Sequence, residues 1–150
     1  MEKIFIIWWW AEYSNYKDYH EYVSNIEFNP YEEKFIWWKD NLSKDLWDKF
    51  EVIKIPMPNK DFADYISWKI MFEKAFPYFW KINILIWHSL GWTFLLKYLQ
   101  ENNLENISQI HLIAPAVFDS NEEKLWTFWF DKNLENFKKF ENFTNLYFSK

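Results

Sequence analysis

The chain has 150 residues, of which 50% are hydrophobic and 26% are charged, enough for one domain with a buried core and too few for two ordinary domains. The net charge is −5, all 17 basic residues are lysines and no basic cluster occurs, which argues against nucleic acid as a partner. The lack of cysteine excludes disulfides and thiolate metal sites and is typical of a reducing, cytoplasmic compartment.

Apolar runs of strand length alternate along the chain with segments of helical periodicity. The predicted strands cover residues 3–8, 50–55, 82–87, 109–114 and 144–148. The predicted helices cover residues 16–26, 30–46, 61–76, 90–100 and about 134–140. Asp61 is the expected N-cap of the third helix. Pro56 and Pro58 are expected to end the second strand, because proline cannot donate to a strand ladder.

This alternation predicts a single α/β domain over residues 1–150, with a doubly wound, mainly parallel five-stranded sheet and helices on both faces. The expected strand order is 2-1-3-4-5. Functional groups in such sheets gather at the carboxyl ends of the strands. Those ends are at residues 8–11, 55–58, 87–91, 114–119 and 149–150.

Glycine and tryptophan occur in abnormal numbers. The chain has one Gly and 12 Trp, whereas average usage predicts about ten glycines. Trp8, Trp9, Trp10, Trp87 and Trp92 lie where we expect turns that need a positive φ or a small residue. We hypothesise that many tryptophans stand for glycine, because UGA encodes Trp in one variant genetic code and Gly in another. A composition rich in Lys, Asn and Ile without Arg fits an AT-rich gene; a genuinely aromatic-rich protein, natural or designed, is the alternative.

The segment Trp87-His88-Ser89-Leu90-Gly91 follows the third predicted strand and opens a helix. In this context α/β-hydrolases have Gly-x-Ser-x-Gly, a strained turn that lifts the serine hydroxyl above the sheet. Gly91 matches the second glycine of that motif, and Trp87 departs from the first unless it stands for glycine. In the alternative interpretation, Ser89 only caps the helix.

A second backbone donor for an oxyanion would have to come from the turn after the first strand. Such donors belong to glycine-rich turns, because the backbone must approach the substrate closely. With glycine in place of tryptophan, Trp8-Trp9-Trp10-Ala11 becomes such a turn, and position 9 or 10 would supply the N–H. As a literal tryptophan triplet the segment is a bulky apolar plug.

With these motifs the chain resembles the small single-domain α/β-hydrolases of the YdeN and retinoblastoma-binding-protein serine hydrolase group. The resemblance covers most of the chain and also rests on KIFII, FEVIKIPMP with Trp68 in the next helix, ILIWHSLGWTFLLKYL and IHLIAPAV. It implies hydrolysis of a small-molecule ester by a Ser-His-Asp triad, with no metal or cofactor. By position, Ser89 would be the nucleophile, the Leu90 N–H one oxyanion donor, and Trp9 or Trp10 the other.

The acid and the base of such a triad are not evident. The family places both after a strand that corresponds to the fifth predicted strand here, where only Ser149-Lys150 follows. His20 lies in a predicted surface helix, His88 is directed by the turn, and His111 lies within a strand, so each is a poor base. Asp119 is a weak candidate for the acid. We therefore expect a hydrolase that lacks its C-terminal strand and helix and is nearly inactive in this form.

Other functions stay open at this point. A non-catalytic, hydrolase-like binding protein is the main alternative. The clusters at residues 37–38 and 128–130 could form a sugar- or lipid-binding surface, although aromatic residues more often form core. A flavodoxin-like protein would need a phosphate-binding loop at residues 8–11. Residues 82–96, the longest uncharged stretch at 15 residues, are too short and too polar to span a membrane, and no nucleotide-binding or metal-ligand motif is present.

Overall fold

In a computed structural model, the protein is described at residues 2–9, 16–31, 38–46, 48–59, 63–113, 126–128 and 135–148. Strands and helices alternate through this part of the chain. Their order is β1 (Glu2–Trp9), α1 (Tyr16–Asn25), α2 (Trp38–Asp45), β2 (Phe50–Met57), α3 (Tyr65–Glu73), β3 (Asn83–His88), α4 (Leu90–Glu101), β4 (Ile107–Ile113), α5 (Glu135–Lys138) and β5 (Thr144–Tyr147). Short 3₁₀ turns lie at Phe76–Tyr78, Trp126–Phe128 and Glu141–Phe143.

The five strands form one open sheet in the order β2-β1-β3-β4-β5, and every neighbouring pair is parallel. The predicted doubly wound α/β fold and its strand order are therefore confirmed. The chain leaves β1 toward β2 on one side and leaves β3 toward β4 on the other. The connections thus diverge between β1 and β3, which is where open α/β sheets bind ligands at their carboxyl edge.

Helices cover both faces of the sheet, as the alternation predicts. On one face Phe5, Leu85 and Trp87 belong to a large core that includes residues of α3 and α4. On the other face a smaller cluster of isoleucines from β1 and β3 packs against Leu42 and Leu46 of the α2 segment. The middle of β1 is buried on both faces, which explains its uninterrupted apolar sequence.

Several predicted boundaries are wrong, among them the end of β2 and the start of α3. Strand β2 does not end before Pro56 but continues to Met57, and Pro56 pairs in register with Trp8. A proline is tolerated there because β2 is an edge strand. The N-cap of α3 is Asp64, not Asp61: its carboxylate accepts the Ser67 N–H at 3.0 Å. The helix starts three residues later than predicted, and Asp61 lies outside the described residues.

Helix α3 also ends earlier than predicted, at Glu73, and Phe76 belongs to a separate 3₁₀ turn with Pro77. A residue before proline is disfavoured in the α-helical conformation, so the helix stops short of this pair. In the described part of the chain, no helix combines the length and the apolar character needed to cross a membrane.

In the described part of the chain, two asparagines and one serine, but no tryptophan, adopt a positive φ. Among the described residues, positive φ occurs at Asn59 (57°), Ser89 (54°) and Asn106 (60°). The expectation that tryptophans fill such positions is therefore wrong for Trp87 and Trp92, and also for Trp8 and Trp9, which belong to β1. Asparagine tolerates this backbone conformation better than most residues do.

Candidate functional site

Ser89 forms the turn between β3 and α4 at the carboxyl edge of the sheet. Its φ of 54° and ψ of −124° are rarely adopted by residues other than glycine. The Ser89 N–H donates to the Ile113 carbonyl at 3.1 Å, and the Ser89 carbonyl accepts the Trp92 N–H at 3.1 Å. The turn is thus attached through main-chain atoms to both β4 and α4.

The Ser89 side chain does not act as a helix cap. Ser89 is exposed, and it makes no side-chain capping hydrogen bond to the first turn of α4. A serine that serves only as an N-cap would accept a hydrogen bond from one of these amides. The interpretation of Ser89 as a helix cap is therefore not supported. Ser89 is an exposed residue with a strained backbone conformation.

The Leu90 amide directly follows Ser89, and β1 is the neighbour of β3 in the sheet. Leu90 is the first residue of α4, so its N–H has no acceptor within the helix and lies at the positive end of the helix dipole. On the neighbouring strand, Ile6 is in register with Ile86. Trp9 lies three residues beyond Ile6, as Ser89 lies three beyond Ile86. The ends of β1 and β3 therefore flank the point where the connections diverge; Trp10 lies outside the described residues.

The residue that departs from the hydrolase motif, Trp87, is part of the core. Its side chain is 1% exposed, is stacked on Phe94 with a centroid separation of 5.2 Å, and meets Phe72 edge-on at 5.2 Å. Its indole Nε1 has no hydrogen-bond partner among the described residues. A β-carbon added at Gly91 would lie 3.2 Å from Trp87 Cε3. A side chain at position 91 would therefore crowd the indole of Trp87.

His20 is bound to a buried carboxylate between two helices. Its Nε2 lies 3.2 Å from Asp64 Oδ1, and Asp64 also accepts the Ser67 hydroxyl at 2.5 Å. The carboxylate is 2% exposed and the histidine side chain 30%, so His20 is only partly exposed. This network joins α1 to the N-terminus of α3 and was not predicted; Asp64 is a residue type that favours the N-cap position, but nothing in the sequence indicates His20 as its partner.

His111 is engaged at both ring nitrogens. Nδ1 lies 2.9 Å from the Tyr147 hydroxyl and Nε2 lies 3.0 Å from Gln109 Oε1, and burial lowers the pKa of the ring. The prediction of a satisfied strand histidine fits these contacts. His111 lies two residues before Ile113, or roughly 7 Å along the strand. Both ring nitrogens are therefore engaged away from the Ser89 turn.

The remaining predicted positions give no further partner to Ser89. His88 is the exposed last residue of β3. Asp119 lies outside the described residues, as do residues 149–150. Within the described ranges, no group of three or more His, Asp or Glu side chains is arranged to hold a metal ion.

Comparisons with known proteins found no match: no protein-family model matches the chain, and no similar protein was found among curated sequences or solved structures.

Proposed function

We propose that Ser89 is the nucleophile of a serine hydrolase that acts on carboxylic esters, in a domain of the small α/β-hydrolase type. One observation carries the proposal: an exposed, non-capping serine with φ 54° and ψ −124° between a buried strand and a helix. Such a backbone costs about 1–3 kcal/mol, and strain of this kind clusters at functional sites. The same turn holds the reactive hydroxyl above the sheet in hydrolases.

The chemistry follows from the groups around the turn. Ser89 Oγ attacks the ester carbonyl carbon, and the negative charge that develops on the carbonyl oxygen is stabilised by the Leu90 N–H and by a backbone N–H at Trp9 or Trp10. The C–O bond to the alcohol then breaks, the alcohol leaves with a proton, and water hydrolyses the acyl-serine. A serine hydroxyl needs a base to accept its proton. His20 contacts Asp64, and His111 contacts Tyr147 and Gln109, so neither histidine is positioned as that base.

The test supplies the base from solution. The protein is incubated with a fluorophosphonate, with and without imidazole, and the adduct is located by peptide mass mapping. Serine oxygen displaces fluoride from phosphorus, and imidazole accepts the proton. We expect imidazole-dependent labelling at Ser89 that disappears in Ser89→Ala.

Ser24→Ala is the matched control, because Ser24 is also exposed and its hydroxyl donates to the backbone carbonyl of His20 at 2.8 Å. Labelling should be unchanged in this variant. Equal labelling of Ser89→Ala and the parent protein, or no labelling at any imidazole concentration, would contradict the proposal. The second outcome would favour a hydrolase-like protein that binds a partner without catalysis.

A further inference from the structure

Strand β3 and helix α4 approach each other closely at the pair Trp87 and Gly91, two residues before and two after Ser89. The position of a β-carbon at Gly91 is 3.2 Å from Trp87 Cε3 and 3.6 Å from Trp87 Cβ. The first distance is shorter than ordinary van der Waals contact between carbon atoms, which is about 3.5–4.0 Å. The indole therefore occupies the space that a side chain at position 91 would need.

The Trp87 indole cannot move away from position 91 without displacing its neighbours. Trp87 is 1% exposed, and its ring is held between Phe94 of α4 and Phe72 of α3 at centroid separations of 5.2 Å each. Close-packed interiors transmit such a displacement to the neighbouring elements. Trp87 thus contacts α4 at two successive turns, and a β-carbon at position 91 must push the start of the helix away from the strand.

The start of α4 carries the Leu90 amide that the proposed mechanism uses. We infer that Trp87 is a positioning residue for Ser89: the indole sets the separation between β3 and the first turn of α4, and Gly91 is the size-matched partner that permits it. The inference rests on the proposed function for its link to reactivity. The contact between positions 87 and 91 exists independently of that function.

A double-mutant cycle tests this inference through the rate of Ser89 labelling by fluorophosphonate in imidazole. Gly91→Ala requires a shift of a few tenths of an ångström. Because a misplacement of about 1 Å costs about 10²-fold in rate, we expect labelling about fivefold slower. In a Trp87→Ala background the Cε3 contact is removed and the added methyl keeps only an ordinary contact with the β-carbon of residue 87, so the same change should slow labelling less than about twofold. This rescue distinguishes positioning from a general loss of stability.

Trp68 provides the matched control. It is equally buried, at 2% exposed, and also packs against Phe94, with centroids 5.7 Å apart. Gly91→Ala should therefore remain about fivefold slower in a Trp68→Ala background. Should Trp87→Ala fail to fold, Trp87→Leu retains more apolar volume and takes its place in the cycle.

The outcomes separate the two proposals. Equal slowing by Gly91→Ala in the parent protein and in the Trp87→Ala background would overturn the inference. If Ser89 is not labelled in the parent protein, the proposed function fails. The contact is then judged by unfolding midpoints in urea: non-additive shifts for the 87/91 pair beside additive shifts for the 68/91 pair support the contact, and additive shifts for both pairs overturn it.

Discussion

The strained turn at Ser89 predicts that this residue is suboptimal for stability. Its left-handed backbone costs a residue with a β-carbon about 1–3 kcal/mol. Replacing it with glycine removes that cost and adds about 0.5–1 kcal/mol of conformational entropy to the unfolded chain. Ser89 is exposed and its side chain makes no capping bond, so the replacement removes no cap of α4. We expect Ser89→Gly to raise the free energy of unfolding by about 1 kcal/mol (the difference of these terms).

Urea unfolding followed by circular dichroism measures this effect. For a domain of this size, about 1 kcal/mol corresponds to roughly 2–4 °C in Tm, and the slope with urea should not change. Ser89→Ala keeps the β-carbon and should lie within about 0.5 kcal/mol of the parent protein. Asn106→Gly is a second control: Asn106 is exposed with a φ of 60°, but asparagine tolerates that region, so the gain should be smaller.

A different ranking would refute this reasoning. If Ser89→Gly is no more stable than Ser89→Ala, the serine backbone does not carry the strain that its φ and ψ imply. The stabilised glycine variant should also lose imidazole-dependent labelling. That combination of gained stability and lost reactivity is the pattern expected where a functional residue is held against its backbone preference.

Three further outcomes follow from the core and the helix contacts. Asp64→Ala should lower the free energy of unfolding in urea by about 3 kcal/mol, because it removes the α3 cap and leaves the buried Ser67 hydroxyl unpaired, whereas Asp64→Asn should cost less. Burial lowers the pKa of His111, so the unfolded chain binds more protons below about pH 6.5, and stability should fall as pH decreases through 6.5; His111→Gln should remove that component of the pH profile. Trp87→Gly should cost about 3 kcal/mol in the same urea assay, since truncating a buried tryptophan costs about 3–5 kcal/mol and the freed indole N–H returns part of it. If Trp87→Gly is as stable as the parent protein, the packing of Trp87 is contradicted and glycine is favoured as the natural residue at position 87. A UGG codon at this position would show that tryptophan is the encoded residue.

The centre of the sheet could be predicted from the sequence because β1 and β3 are nearly continuous apolar runs. β3 was expected at residues 82–87 and lies at Asn83–His88. β1 was expected at residues 3–8 and lies at Glu2–Trp9. Strands buried on both faces need apolar residues at successive positions, and such runs stand out in a single sequence. Strand order then follows from right-handed crossovers and short connections.

Contacts between elements that are distant in the sequence could not be predicted in this way. Pro56 was expected to stop β2, because the edge position that tolerates it depends on which strands pair. Asp64, the partner of His20, is 44 residues away, and Tyr147, one of the two partners of His111, is 36 residues away. Periodicity and propensity describe local preferences, so they give no information about which buried carboxylate or hydroxyl a histidine meets.

The turn at Ser89 also shows which part of the hydrolase motif the fold requires. The serine backbone is held by hydrogen bonds to the Ile113 carbonyl and the Trp92 N–H. Both are main-chain groups, which do not depend on the side chain except that proline lacks the N–H. Side chains decide only how close β3 and α4 can come at positions 87 and 91. Because Trp87 Cε3 already lies 3.2 Å from a β-carbon position at Gly91, that space admits one large side chain and not two. A chain can therefore form this turn with a tryptophan at position 87 when the residue at position 91 is small.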